Sequence, residues 1–171
     1  MAQPALNLED AYEACRKETA EWAKTFYLGT MLLPPAKRKA IWAIYVWCRR
    51  TDELMDSSEA QKKSRNELSD RLNKWEEKTK QVFAGNTEDD LDTVLLDTLQ
   101  KFPQSIQPYM DMIEGQRMDL DKTRYKTFEE LELYCYRVAG TVGLMTQGVI
   151  GIDAAYTSNP NKPTPDTSQA A

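Results

Sequence analysis

Two aspartates spaced one helical turn apart are the sharpest chemical signal in this sequence. Asp52 and Asp56 are separated by Glu53, Leu54 and Met55. On a helix this spacing puts both carboxylates on one face, where they repel each other by roughly 0.2–0.5 kcal/mol. Mg²⁺ prefers such oxygen ligands and is often shared with substrate phosphates. The pair therefore predicts either a magnesium site or a solvated helix end.

The same helix face extends towards the N-terminus and gains a phosphate-binding group. Arg49 precedes Asp52 by three residues, and Tyr45 precedes Arg49 by four. Because a guanidinium can bind phosphate oxygens in a bidentate manner, this stripe suits a metal-bound diphosphate. The alternative is that Arg49 and Arg50 only form surface ion pairs, which contribute little.

A second stretch, Tyr134–Met145, is an apolar helix interrupted by Gly140 and Gly143. Each interior glycine costs about 1 kcal/mol relative to alanine, so the pair needs a reason. One hypothesis is a cavity for an apolar chain, lined by Val138, Ala139 and Gly143. The other is a tight helix crossing.

A third stretch, Asp111–Asp119, places Glu114 and Arg117 near a further glycine. Arg117 either faces a diphosphate or forms an ion pair with Glu114, since residues three apart are neighbours on a helix.

The elements that must position these residues are predicted to be helices throughout. Apolar residues recur at three- and four-residue spacing and strand signals are missing, which is typical of an all-α chain. From Asp153 to Ala171 the sequence is polar, carries three prolines and predicts a disordered tail. The six predicted helices run from Asn7 to Leu28, Pro34 to Asp56, Lys62 to Phe83, Glu88 to Lys101, Ile106 to Lys122 and Phe128 to Ile150.

Composition excludes several classes of function. The net charge of -5 argues against a nucleic-acid partner, and no apolar run approaches a membrane span. The first ten residues resemble neither a secretory signal nor a transit peptide. Histidine is absent, so chemistry must rely on carboxylates, Arg, Tyr or bound metal. The three cysteines, Cys15, Cys48 and Cys135, are predicted to be reduced and buried.

Four blocks in this order resemble the squalene/phytoene synthase family: Ala23–Gly29, Ile41–Asp56, Asp111–Gly115 and Tyr134–Gly143. The resemblance covers roughly residues 9–153. It implies an all-α, isoprenoid-synthase-type helical bundle around a central cavity, truncated to about six helices and contained in residues 1–152.

The resemblance also implies an activity: head-to-head condensation of two geranylgeranyl diphosphates, via prephytoene diphosphate, to phytoene. Mg²⁺, or Mn²⁺ in its place, would be the cofactor, bound by Asp52 and Asp56. The family's second aspartate-rich motif does not follow the glycine-containing helix in these 171 residues. By resemblance the catalytic residues are Tyr45, Arg49, Asp52, Asp56 and Tyr134, and the substrate-binding residues are Thr25, Phe26, Arg117, Val138, Ala139 and Gly143.

Two other hypotheses remain open at this point. The chain could be a non-catalytic truncated isoform or a regulatory partner of a complete synthase. A sesquiterpene-type cyclase or head-to-tail prenyltransferase also uses carboxylates and magnesium, but would not account for Tyr134–Gly143. The resemblance further implies membrane association, at plastid membranes or in a bacterial cytoplasm, and exposed apolar surface suggests self-association.

Overall fold

The computed structural model describes residues 7–121 and 124–151, and every regular element in that part of the chain is helical. The prediction of an all-α fold is confirmed. The predicted tail, residues 153–171, lies outside the described residues. The α-helices are α1 (Leu8–Trp22), α2 (Lys24–Thr30), α3 (Pro35–Asp56), α4 (Arg65–Phe83), α5 (Asp90–Lys101), α6 (Gln107–Asp121), α7 (Phe128–Cys135) and α8 (Thr141–Ile150).

The first predicted helix is in fact two helices. Ala23 leaves the helical conformation, with φ of -139° and ψ of 63°, so that α1 ends and α2 starts in a new direction. The change of direction docks α2 on α3, where Tyr27 stacks on Trp42 with ring centroids 5.8 Å apart. The Trp42 indole also donates a hydrogen bond to the Thr30 hydroxyl at 2.8 Å.

The last predicted helix, Phe128 to Ile150, stays helical throughout, but its hydrogen-bonding pattern changes in the middle. A π-helical turn, Tyr136–Gly140, separates α7 from α8. A short 3₁₀ turn, Ala60–Lys62, lies in the predicted loop after α3.

Side-chain caps explain where several helices begin. Asn7 caps α1, and Ser64 forms a reciprocal capping box with Glu67 at the start of α4. Asp89 and Asp92 form the same arrangement at the start of α5.

The acidic residues at the start of α5 also form ion pairs with neighbouring helices. Asp89 accepts hydrogen bonds from Arg50 at 2.7 Å and from Lys78 at 2.8 Å. Although burial acts to raise it, these two bonds hold the pKa of Asp89 well below its usual range. This acidic run is therefore structural, because it ties α5 to α3 and α4.

Helix α3 lies at the centre of the core. Its apolar face buries Ile44, Trp47 and Cys48. Trp47 stacks on Trp75 of α4 and meets Tyr109 of α6 edge to face at 4.7 Å. The neighbouring face, which carries Tyr45, Arg49 and Asp52, is thus held on a well-packed helix.

The cysteine prediction is correct at two positions and wrong at the third. Cys15 and Cys48 are buried free thiols, whereas Cys135 is exposed at the end of α7. None of the helices in the described part of the chain combines the length and apolarity needed for a membrane span.

Candidate functional site

A cleft of about 340 Å³ lies between α2, α3, α6 and the α7–α8 segment. One end is polar, where Tyr45, Arg49 and Asp52 meet, and the remainder is mainly apolar. The sequence-predicted residues Phe26 and Val138 also line it. The other lining residues are Ile41, Ile44, Cys48, Met112, Val142 and Thr146.

Arg49 presents an unused hydrogen-bond donor at the polar end. Its guanidinium lies over the ring of Trp22, 4.1 Å from the centroid, and one terminal nitrogen is 2.9 Å from Glu53. Its Nε is buried, and no hydrogen-bond partner is found for it in the part of the chain that the structure describes. Because a buried unpaired donor costs free energy, this nitrogen is suited to receive an anion.

Tyr45 stands one turn before Arg49 on α3. Its ring packs against Phe26 of α2 with centroids 5.5 Å apart. Burial raises the pKa of the Tyr45 phenol, while the charge of Arg49 acts in the opposite direction. The phenol therefore remains a neutral hydroxyl beside the polar end of the cleft.

Asp52 is held in an environment that disfavours its charge. Burial, followed by the charge of Asp56, raises its pKa to about 6. Asp119 adds to the increase, whereas Arg49 and a 2.9 Å hydrogen bond from Gln116 act against it. A cation bound here would relieve this repulsion.

Tyr134 of α7 and Asp119 of α6 lie close enough to Asp56 for its charge to act on both. Neither Asp56 nor Tyr134 is among the residues that line the cleft. The Tyr134 hydroxyl donates to Asp119 at 3.1 Å, and the Tyr134 ring stacks on Tyr125 at 4.8 Å. Burial and the nearby charge of Asp119 raise the pKa of Tyr134 to about 12. Burial and the charge of Asp56 raise the pKa of Asp119 as well.

These carboxylates fit Mg²⁺ by chemistry but do not complete a coordination shell. Asp52, Asp56 and Asp119 are hard oxygen donors that repel one another, as expected of side chains that share a cation. Among residues 7–121 and 124–151, however, no group of three or more Asp, Glu, Cys or His side chains could hold a metal ion. An ion bound by Asp52 and Asp56 would need further oxygens from substrate or water.

The π-helical turn places the apolar wall of the cleft. Val138, Val142 and Thr146 line it at four-residue intervals. In an α-helix, side chains four residues apart differ by roughly 40° in direction around the helix axis. A π-helical turn is wider and reduces that difference, so the three side chains stay on one face. The turn packs on α6 at Gly115, where an added Cβ would lie 2.9 Å from Val138.

The predicted tight crossing therefore occurs at Gly115 and not at the two glycines that suggested it. An added Cβ at Gly140 would meet the side chain of Tyr136, and one at Gly143 would meet no described atom within 4 Å. Gly143 is exposed, as are Thr25 and Ala139, and these three are not among the residues lining the cleft. Their substrate-binding roles stay predictions.

Arg117 points away from the cleft towards α4. Its guanidinium contacts Glu76 at 2.5 Å and Glu114 at 2.8 Å, and it also donates to Asn73. The ion pair with Glu114, one of two sequence hypotheses, is present. A role in diphosphate binding stays a prediction.

Three site residues were given no role by the sequence reasoning: Trp22, Gln116 and Asp119. Gln116 and Asp119 lie three apart on one face of α6, a spacing that could have indicated a shared role. Trp22 carries no sequence signal, because its contact with Arg49 depends on the break at Ala23.

Comparisons with known proteins agree with this arrangement. The chain is 57% identical over 162 residues to the 15-cis-phytoene synthase of Synechocystis sp., covering 95% of this chain and 47% of that protein. It is 57% identical over 145 residues to a chloroplastic phytoene synthase of Narcissus pseudonarcissus, covering 85% and 33%. The chain thus spans half or less of the length of these relatives.

The fold is shared with a solved dehydrosqualene synthase in complex with ligand. The TM-score is 0.73 at 31% identity, covering 83% of this chain and 48% of that one. This confirms the predicted isoprenoid-synthase-type bundle. Since the family model for squalene/phytoene synthase also matches residues 19–170, the chain belongs to the squalene/phytoene synthase family.

Proposed function

We propose that this chain supplies a diphosphate- and metal-binding face of a phytoene synthase, which joins two geranylgeranyl diphosphates head to head through prephytoene diphosphate. The main support for this proposal is the cleft. It joins the carboxylate of Asp52 and the Nε of Arg49, which has no hydrogen-bond partner among the described residues, to an apolar wall. A prenyl diphosphate has the same division into a charged head and an apolar chain.

The side chains at the polar end have distinct roles in this proposal. Arg49 binds phosphate oxygens, and Tyr45 offers a neutral hydroxyl beside them. Asp52 and Asp56 hold Mg²⁺, or Mn²⁺ in its place, as oxygen ligands. When bound, the metal supplies positive charge that stabilises the departing diphosphate.

The apolar side chains and Tyr134 serve the organic part of the substrate. Ile44, Val138 and Val142 keep water from the prenyl chain, which protects a carbocation. Tyr134 is neutral at physiological pH, and the increase of its pKa to about 12 keeps it so well into the alkaline range. Its ring face can therefore stabilise positive charge while its hydroxyl donates to Asp119.

The choice of phytoene synthase over a cyclase or head-to-tail prenyltransferase is supported by the names of the relatives in Synechocystis and Narcissus. We propose a plastid, or a bacterial cytoplasm, as the compartment of this protein. Peripheral association with a membrane there belongs to the proposal, since the prenyl product is apolar.

A binding measurement tests the site without requiring turnover. The thio analogue of geranylgeranyl diphosphate, which resists ionisation, should bind more tightly with Mg²⁺ than with EDTA in isothermal calorimetry. Asp52→Ala combined with Asp56→Ala should abolish this difference, because both proposed metal ligands are lost. The loss should be about tenfold or more, equivalent to about 1.4 kcal/mol.

The matched control is Asp70→Ala, which removes an exposed carboxylate of α4. It should leave both the affinity and its dependence on Mg²⁺ unchanged. Equal magnesium dependence in the wild-type chain and the double variant would remove these aspartates from the site.

A further inference from the structure

Helix α2 and the turn after it carry an uncovered apolar stripe. Leu28, Met31 and Leu32 lie at positions i, i+3 and i+4, so they share one face. All three are exposed, Leu28 by 66% and Leu32 by 90%. The other face of α2 is the one that packs, through Tyr27 and Thr30 against Trp42.

The stripe is flanked by two cations, Lys37 and Arg38, in a segment that carries no acidic residue. Residues 22–51 contain six of the 22 Lys and Arg residues and none of the 27 Asp and Glu residues. Three of these six cations, Lys39, Arg49 and Arg50, pair with carboxylates from outside the segment. Arg38 approaches the Met31 sulfur at 3.8 Å. Lys37 donates to the main-chain carbonyl of Ile150, whose exposed apolar side chain therefore lies near the stripe.

We propose that this corner, formed by Leu28, Met31, Leu32, Ile150, Lys37 and Arg38, docks on the surface of an anionic lipid bilayer. Apolar side chains flanked by cations are the combination that enters the boundary between headgroups and acyl chains. Cations near such a surface add attraction to its negative potential. The proposal deepens the membrane association proposed above by naming the surface that makes it.

A second copy of the chain fits this corner less well than a bilayer does. In a symmetric dimer the same patch faces itself, so Lys37 and Arg38 would oppose their own copies. No acidic residue within residues 22–51 could offset that repulsion. An anionic lipid surface supplies the missing negative charge.

The position of the corner also suits an apolar substrate or product. A pocket of about 290 Å³, lined in part by Gly29, Leu33 and Ile150, lies behind the stripe. Phe26 and Ile41 line both this pocket and the candidate active cleft. Docking would therefore bring hydrocarbon close to the inner end of that cleft, a consequence that rests on the proposed function.

Vesicle co-sedimentation tests the surface directly, without any prenyl diphosphate. The full chain should bind vesicles of phosphatidylcholine with about 30 mol% phosphatidylglycerol at least fivefold better than phosphatidylcholine alone. About 0.5 M NaCl should remove most of this preference by screening. Leu28→Ser combined with Leu32→Ser should lower binding about tenfold, and Lys37→Gln with Arg38→Gln about fivefold.

The matched control is Phe128→Ser combined with Leu133→Ser, which removes two exposed apolar side chains from α7. It should bind anionic vesicles as the unaltered chain does, with helix content of every variant checked by circular dichroism. Absence of binding to anionic vesicles would overturn the proposal, as would equal losses in the α2 and α7 variants. A dimer that dissociates on Leu28→Ser and Leu32→Ser, with vesicle binding unchanged, would assign the corner to a second copy. None of these outcomes bears on the calorimetric test of the active cleft.

Discussion

At the scale of single residues, the candidate site holds ionisable side chains in surroundings that disfavour their charged forms. Asp52 is buried beside Asp56 and Asp119, and one hydrogen bond from Gln116 offsets only part of the cost. The buried Nε of Arg49 lies nearby and has no hydrogen-bond partner within residues 7–121 and 124–151. Such perturbed groups gather at functional sites, because a ligand and not the fold completes their interactions.

The raised pKa of Asp52 predicts a specific dependence of stability on pH. Its stabilising effect is fully present below its ordinary pKa near 4 and is lost as pH rises through about 6. At pH 7.5 the ionised side chain therefore destabilises the fold. Asp52→Asn should raise the free energy of unfolding by about 1 kcal/mol at pH 7.5 in EDTA, after allowance for solvent screening.

Urea unfolding at pH 7.5 and pH 4 measures this difference, which should close at the lower pH. Asp70→Asn, which alters an exposed carboxylate of α4, serves as the control and should show no such trend. A destabilised Asp52→Asn variant at pH 7.5 would mean that the carboxylate has a partner that this account omits.

At the scale of elements, the sequence predicted the helices well but not their interruptions. Periodicity placed α3 and the face that carries Asp52, since both follow from local spacing. The break at Ala23 could not be predicted, because the residues around it are all acceptable in a helix. It arises from packing, as Tyr27 and Thr30 dock on Trp42.

The site was predictable to the same extent. Tyr45, Arg49 and Asp52 share one helix, and spacing alone predicted that they lie on one face of it. Gln116 donates to Asp52 across 64 residues of sequence, and Asp119 meets Tyr134 from another helix. Contacts of this kind depend on the tertiary arrangement, which spacing within one helix does not contain.

The contrast between Gly115 and Gly143 gives a prediction for the α6 crossing. Gly115→Ala should lower the free energy of unfolding by about 1–3 kcal/mol, because its Cβ would lie 2.9 Å from Val138 and 3.0 Å from Arg137. Gly143→Ala should raise it by about 0.5–1 kcal/mol, since the added methyl meets open space and improves helix propensity. Chemical denaturation of both variants measures the two effects.

The opposite signs make each variant the control for the other. Equal destabilisation by both substitutions would show that Gly143 also sits at a close contact. If Gly143 forms part of the prenyl wall, its alanine variant should lose analogue affinity despite the gain in stability.

At the scale of the whole molecule, the described residues leave an apolar flank beside the site. Phe128, Leu131 and Leu133 of α7 are exposed, Phe128 by 73%. The same segment continues into the π-helical turn that carries Val138. Exposed apolar side chains of this size usually mark a surface that another structure covers. The chain spans 47% of the length of its Synechocystis relative.

The 171-residue chain alone is therefore expected to bind geranylgeranyl diphosphate without converting two molecules of it to phytoene. Ionisation needs concentrated positive charge on the leaving group, and the described residues contain no set of three carboxylates able to hold an ion. With the α7 flank exposed, water would also reach a carbocation before a second prenyl chain could react. Chromatographic analysis of products after incubation with Mg²⁺ measures the outcome, and a complete relative provides the positive control. Phytoene formed by the chain alone, and lost in Asp52→Ala, would show that one aspartate pair is sufficient for condensation.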